Sequence, residues 1–245
     1  MSELLKTRAI VLRKLDYGDT SRIIQFFTED FGKISAILKG ARSPKSKTGS
    51  MVNTFNYVEI VMYKKETREV QLVSQVELLN HFPNIKEEYS RIKFASAVME
   101  LLLNLTVENE HHHKMFLGSI RALELLNSAG QNPKLVFAKY FLFFVKEIGY
   151  EFQVDNCSIC GKKIEAVKPV SFNYETGILC SDCRQDRLSN MELNKELFNS
   201  LQCLRLKNND TKYEERNLDK IILLIEKFLK YNVNEFKGLK SLELN

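Results

Sequence analysis

Two Cys-x-x-Cys pairs constrain this chain more tightly than any other feature. Cys157-Ser158-Ile159-Cys160 and Cys180-Ser181-Asp182-Cys183 stand nineteen residues apart. At that separation each pair can form a tight knuckle with both sulfurs aimed at one tetrahedral ion, as in a four-thiolate zinc ribbon. Gly161 follows the first pair and Gly177 precedes the second, supplying the left-handed backbone freedom that such turns use. Four thiolates complete a tetrahedral shell, so the expected ion is one structural Zn2+ per chain with no open position to activate water. Its binding should supply much of the folding free energy of residues 154–186. A redox function needs one such pair at a helix N-terminus, and two matched pairs in one short insert argue against it. Cys203, within Leu201-Gln202-Cys203-Leu204, reads as a small buried side chain rather than a fifth ligand.

The compartment follows from what surrounds these thiols. No apolar run reaches the roughly 18 residues of a membrane span, and the most apolar stretch, Leu135 to Val145, is interrupted by Lys139. Met1-Ser2-Glu3-Leu4-Leu5-Lys6 has neither a cationic leader nor an apolar segment, so a cytosolic protein is expected, in which a structural disulfide is disfavoured. With 44% hydrophobic and 27% charged residues in 245, the chain falls among soluble globular proteins of one large or two to three small domains, and disordered and fibrous classes are excluded.

The net charge of +5 is unevenly placed. Residues 1–80 carry 13 Lys+Arg against 9 Asp+Glu, and no acid occurs between Phe31 and Val58, a window that holds Lys33, Lys39, Arg42, Lys45 and Lys47. These same 80 residues read as five strands, Arg8 to Lys14, Arg22 to Phe27, Lys33 to Leu38, Tyr57 to Tyr63 and Val70 to Val76, divided by turn residues. In the fourth, Val58, Ile60 and Met62 alternate with Tyr57, Glu59 and Tyr63. So many short strands in so little chain predict closure into a small barrel, which removes sheet edges. A five-stranded OB-fold is the natural candidate and an SH3-like barrel its competitor. The cations between Lys39 and Ser50 are interspersed with Gly, Ser and Pro, which suggests a mobile loop able to follow a phosphate backbone. A solvated loop without ligand is the other reading. It is no Walker loop, because Lys45 stands where the second glycine belongs.

After Pro83 the apolar period becomes helical, over Glu87 to Leu105 and Met115 to Asn127. Asn132-Pro133 opens a third helix that ends at Gly149 and is apolar nearly all round, so it should be the centre of a bundle. Helices at Asn194 to Arg205 and Asn217 to Tyr231 should pack on that bundle, with Lys237 to Asn245 frayed. The class is therefore α+β: an OB-fold barrel over 1–80, a helical bundle over 81–153, an inserted zinc ribbon over 154–186 and C-terminal helices over 187–245.

Catalytic signatures are lacking. His111-His112-His113 cannot converge on one ion from a helix, where neighbours point about 100° apart, and they read as a solvated turn. His81 is the one other histidine, so no nucleophile-base arrangement suggests itself, and no nucleotide fingerprint is present. The aromatics Phe137, Tyr140, Phe141, Phe143 and Phe144 read as core. A binding protein, not an enzyme, is expected.

The order of several short motifs adds to this. Ala9-Ile10-Val11-Leu12-Arg13, Asp16-Tyr17-Gly18-Asp19, Phe27-Thr28-Glu29-Asp30-Phe31-Gly32-Lys33 and Lys39-Gly40-Ala41-Arg42-Ser43-Pro44-Lys45-Ser46 together resemble the start of the bacterial RecO family of recombination mediators. A helical domain with a paired-cysteine module matches the rest of the chain. The resemblance implies an N-terminal OB-fold, binding of single- and double-stranded DNA, and annealing of complementary strands. It also implies partnership with RecR and contact with the acidic tail of single-stranded DNA-binding protein, so that RecA loads on coated strands in the RecF pathway, in the cytoplasm at the nucleoid. Lys39, Arg42 and Lys45 match the family's basic loop, and Cys157, Cys160, Cys180 and Cys183 its zinc ligands. Lys33 and Lys47, from the same acid-free window, join the candidate DNA contacts. One departure is Glu175-Thr176-Gly177, where many relatives have Gly-Gly before the second knuckle. Some members lack the cysteines, which implies that the metal is a stability device. A zinc-stabilised adaptor for acidic protein surfaces, or an RNA-binding zinc-ribbon protein, remains the alternative.

Overall fold

Alternation of side chains closes the N-terminal sheet. In β4 (Tyr57–Lys64) Val58, Ile60 and Met62 are fully buried, whereas Tyr57, Glu59 and Val61 between them are only partly covered. The computed structural model describes residues 3–151, 153–164, 170–184, 190–205 and 213–243. These divide into two compact units, Met1–Gln131 with Ser241–Asn245, and Asn132–Lys240.

In the first unit β1 (Glu3–Tyr17), β2 (Ser21–Thr28), β3 (Gly32–Leu38), β4 and β5 (Val70–Asn80) form a closed barrel in the order β1-β2-β3-β5-β4. The five expected strands are all present. β5 lies between β3 and β4, parallel to β3 over Ser35–Leu38 against Val70–Val73, and the other pairings are antiparallel. This Greek-key order marks an OB-like barrel rather than an SH3-like one. The long β1 serves two neighbours, β4 through Glu3–Ile10 and β2 through Ala9–Tyr17, with a bulge between Val11 and Arg13. Ala9, Val11, Ile24, Phe26, Ile34, Ala36, Val58 and Ile60 fill the interior.

Ile10 and Phe27 are fully buried too, although they fall on the opposite face. Helices explain this. α2 (Pro83–Glu87), α3 (Tyr89–Leu105) and α4 (His113–Asn127) belong to the same unit, and Phe116 of α4 lies 6.2 Å from Phe27 and 6.3 Å from Tyr57, ring to ring. Strands covered on both faces lose the simple alternation, as Ala9-Ile10-Val11-Leu12 does. The expected fraying over Lys237 to Asn245 is corrected: α9 (Lys240–Glu243) is helical, Leu239 is fully buried, and the Ser241 amide donates to Glu100 Oε2 at 3.0 Å. Residues 244–245 lie outside the described residues.

The second unit is built on α5 (Pro133–Glu147), whose N-terminus is capped by Asn132 Oδ1 accepting from the Leu135 amide at 3.1 Å. Phe137, Phe141 and Phe144 are fully buried, against α7 (Lys195–Arg205) and α8 (Glu215–Asn232). Lys134 pairs with Glu215 and Asp219 of α8, each at 2.7 Å. The expected bundle is thus divided, with α3 and α4 in the unit of the barrel and α5 with the C-terminal helices. An all-round apolar surface shows that a helix is central without naming its neighbours. Between α5 and α7 the chain forms a small sheet, β7 (Gly177–Leu179), β6 (Val170–Asn173) and β8 (Met191–Leu193), and the short α6 (Ser181–Arg184).

Candidate metal centre and basic surface

The first knuckle is tied by its own backbone. The Cys157 amide donates to Lys162 O at 2.8 Å and the Gly161 amide to Cys157 O at 2.9 Å, with Gly161 at φ 69° closing the turn. The Ser158 amide donates to Ile178 O of β7 at 2.8 Å, which joins this knuckle to the strand leading into the second. In the turn before β7, Asn173 Oδ1 accepts from the amides of Glu175 and Thr176 at 2.8 and 2.9 Å, and Gly177 takes φ 97°. One glycine and an asparagine cap therefore serve where Glu175-Thr176-Gly177 departs from Gly-Gly. Cys180 precedes α6, and Cys183 lies within it.

These devices bring Cys157, Cys160, Cys180 and Cys183 together, all four sulfurs lying within 4.8 Å of one another. Cys160 and Cys180 Sγ are 3.8 Å apart. A tetrahedron with metal–sulfur bonds of about 2.3 Å has edges of about 3.8 Å, so the donor set fits one tetrahedral soft-ligand metal ion. Burial opposes ionisation of Cys157, but amide donors from Cys160, Cys180 and Ile159 outweigh it and hold the thiol at about 6. Cys183, hydrogen bonded among the other sulfurs and partly desolvated, is pushed up to about 12. Of these two thiols, Cys157 is therefore the readier to ionise. Cys203 stands outside the cluster, half-buried in α7.

On the barrel, the β3–β4 connection is more ordered than its composition suggests. The Arg42 amide donates to Thr20 O at 2.9 Å, and its guanidinium donates to Gly18 O at 2.7 Å and lies 3.4 Å from Asp16. Ser46 Oγ caps α1 (Lys47–Met51) by accepting from the Gly49 amide. Gly49 is required there, since a Cβ would stand 1.9 Å from Ala41 O. Lys39, Arg42, Lys45 and Lys47 are all exposed along this segment. Lys33 is placed apart from them: its Nζ donates to Leu103 O at 2.6 Å, at the end of α3. Burial pushes its ammonium below the usual lysine range, against the pull of Glu108.

The three histidines lie at the start of α4, with His113 Nδ1 3.8 Å from Glu29 and His112 Nε2 3.7 Å from Glu110. Nothing in the sequence singles out two further cations, Lys14 and Lys86. The structure holds their ammonium groups on asparagine side chains near the β1 bulge. The closest signal is the segment Asn53-Thr54-Phe55-Asn56, with an asparagine at each end.

No helix among the described residues is long and apolar enough to cross a membrane. Two family models match the chain, Recombination protein O N terminal over residues 1–82 and Recombination protein O C terminal over residues 86–243. The two models meet between residues 82 and 86, whereas compactness divides the chain after Gln131. Among curated relatives, the DNA repair protein RecO of Chloroherpeton thalassium is 27% identical over 252 residues, covering 98% of this chain and 96% of that protein. That of Prosthecochloris aestuarii is 35% identical over 170 residues, covering 68% and 64%. The Thermoanaerobacter sp. protein of the same name is 32% identical over 181 residues, covering 74% and 71%. With an OB-like barrel under the first family match and the four-cysteine cluster under the second, this chain belongs to the recombination protein O (RecO) family.

Proposed function

We propose that this chain is a DNA-binding mediator of recombinational repair, acting in the cytoplasm at the nucleoid rather than as an enzyme. It anneals complementary strands and, with RecR, helps RecA load on single strands coated with single-stranded DNA-binding protein, whose acidic tail it contacts. The observation that carries this reading is the placement of Lys39, Arg42, Lys45 and Lys47, exposed, on the β3–β4 connection of an OB-like barrel, a scaffold whose grooves and loops take single strands. Lys33, with its ammonium on the Leu103 carbonyl, is assigned to tying β3 to α3. The cysteine cluster holds one structural Zn2+, which supplies no reactive position because all four ligands are protein thiolates.

Four phosphate contacts on single-stranded DNA give a slope of log K against log salt near −2.8, at about 0.7 per contact. The doubly reversed variant Arg42→Glu, Lys45→Glu is expected to bind roughly a hundredfold more weakly at 50 mM salt and to lose about half that slope. Unchanged affinity and slope would remove the connection from the DNA site. Acceleration of annealing of coated complementary strands is the further test, since neither an adaptor for acidic proteins nor an RNA-binding ribbon protein predicts it. Preference for RNA in parallel titrations would favour the latter.

A further inference from the structure

Beyond the β3–β4 connection lies a second group of cations. The bulge in β1 between Val11 and Arg13 is fitted by the segment Asn53–Asn56: the Phe55 amide donates to Val11 O at 3.0 Å and the Val11 amide to Asn56 O at 2.9 Å. The two asparagines are fixed in turn, Asn53 Nδ2 donating to Ser50 O and Asn56 Nδ2 to Met51 O, each at 2.8 Å. Their carbonyl oxygens then accept from lysines of different elements, Asn53 Oδ1 from Lys14 Nζ of β1 at 2.5 Å and Asn56 Oδ1 from Lys86 Nζ of α2 at 2.8 Å. Asn56 is itself buried.

Among the described residues neither ammonium is ion-paired with a carboxylate. Asp16, the acid whose charge acts on Lys14, is held by Arg22 at 3.1 Å and Arg42 at 3.4 Å. Burial lowers the pKa of Lys14, with Arg22 adding to the effect and Asp16 opposing it. Lys86 is likewise lowered by burial, and then by Lys14. Each ammonium uses one donor on an asparagine and has two left. Two non-glycine residues in left-handed backbone flank the group, Phe55 at φ 75° and Phe82 at φ 46° just before α2. Bulges and such conformations concentrate where a fold aims side chains at a ligand.

We propose that Lys14 and Lys86, each oriented by an asparagine, form a clamp for the phosphate groups of a nucleic-acid strand that continues from the β3–β4 connection. This rests on the DNA-binding reading above and extends the site to β1 and α2. Continuity is provided by Arg22, which donates to Gly49 O in α1 at 3.2 Å and shares Asp16 with Arg42. A phosphate arriving between the two ammonium groups offsets their mutual repulsion, and neutral amides orient them without cancelling their charge.

The test uses the full chain with Lys14→Gln and Lys86→Gln, singly and together, on labelled single-stranded DNA across a salt series. With the clamp's two contacts added to the four of the connection, the slope of the unaltered chain rises to about −4.2, and the double variant is expected to bind roughly tenfold more weakly and to lose about 1.4 units of it, two contacts at about 0.7 each. Lys14→Arg with Lys86→Arg should keep the slope, which separates lost charge from lost folding. A double Gln variant with unchanged slope overturns the clamp, while Arg42→Glu, Lys45→Glu still weakening DNA would leave the broader reading standing. Loss of all DNA binding by the unaltered chain at 50 mM salt overturns both. Inorganic phosphate at constant ionic strength is the remaining arm: saturation of the Lys14 and Lys86 amine NMR signals by millimolar phosphate, with no response to DNA, would make this a free-phosphate site and overturn the strand assignment.

Discussion

Replacing Cys157 with serine is expected to abolish metal binding at the four-cysteine cluster and lower the thermal unfolding midpoint by about 10 °C. That shift corresponds to losing about a third of the roughly 10–16 kcal/mol released when small zinc modules bind their metal, at roughly 2–4 °C per kcal/mol for a chain of this size. Cys157 is the most buried of the four cysteines, and backbone amide donors pull its thiol pKa down. Its sulfur also accepts from the Cys180 amide at 3.4 Å, so its removal loosens both knuckles. Cys203→Ser, outside the cluster, should keep one zinc per chain by elemental analysis. Zinc well below one per chain in protein purified without chelator, or full zinc retained by Cys157→Ser, would overturn the assignment. The salt slope of DNA binding should be unchanged in Cys157→Ser, because the barrel has its own core.

The second large effect is expected at Gly32→Ala. Gly32 opens β3 at φ 63°, and a Cβ there would stand 1.8 Å from Glu110 O, a backbone atom that cannot turn away. The segment before α4 must then retreat, breaking the bond from the Asn109 amide to Lys33 O at 2.9 Å and separating His113 from Glu29. Left-handed backbone costs alanine about 1 kcal/mol and overpacking of this kind about 1–3 more, which lowers the midpoint by roughly 6–12 °C. Gly18→Ala is the control. It has a similar φ of 55° with nothing within 4 Å of its Cβ, so it should lose only the first part. Equal midpoints for the two variants would refute the close approach of Glu110.

The barrel was legible because its strands carry the period of two, most plainly at Val58, Ile60 and Met62. Closure followed from the number of strands in so short a stretch. The cysteine cluster was legible because spacing within each pair nearly dictates the knuckle, and the described sulfurs meet as that spacing requires. Partnership between helices was not legible, since periodicity reports a buried face and not what covers it. The order of the basic connection was hidden for a related reason: its anchors are carbonyls of Gly18 and Thr20, visible only once the chain has turned. Lys14 looked like any polar strand position until the bulge placed it beside Asn53. The helix at Lys240–Glu243 escaped because four residues are too few to show a period.

The pairing of β3 with β5 has a consequence for motion. It is the one parallel rung of the barrel, running only from Ser35 to Leu38 against Val70 to Val73, while β1 holds each of its neighbours over about twice that length. Parallel pairing is slightly weaker per residue, so the cylinder has a seam. When the barrel breathes it should part there first, and amide protons of Ser35–Leu38 and Val70–Val73 should exchange with solvent ahead of those in β1. The seam ends at Leu38, one residue before Lys39. Its opening would let the cationic connection shift with one lip of the barrel while β1 and β2 stay closed.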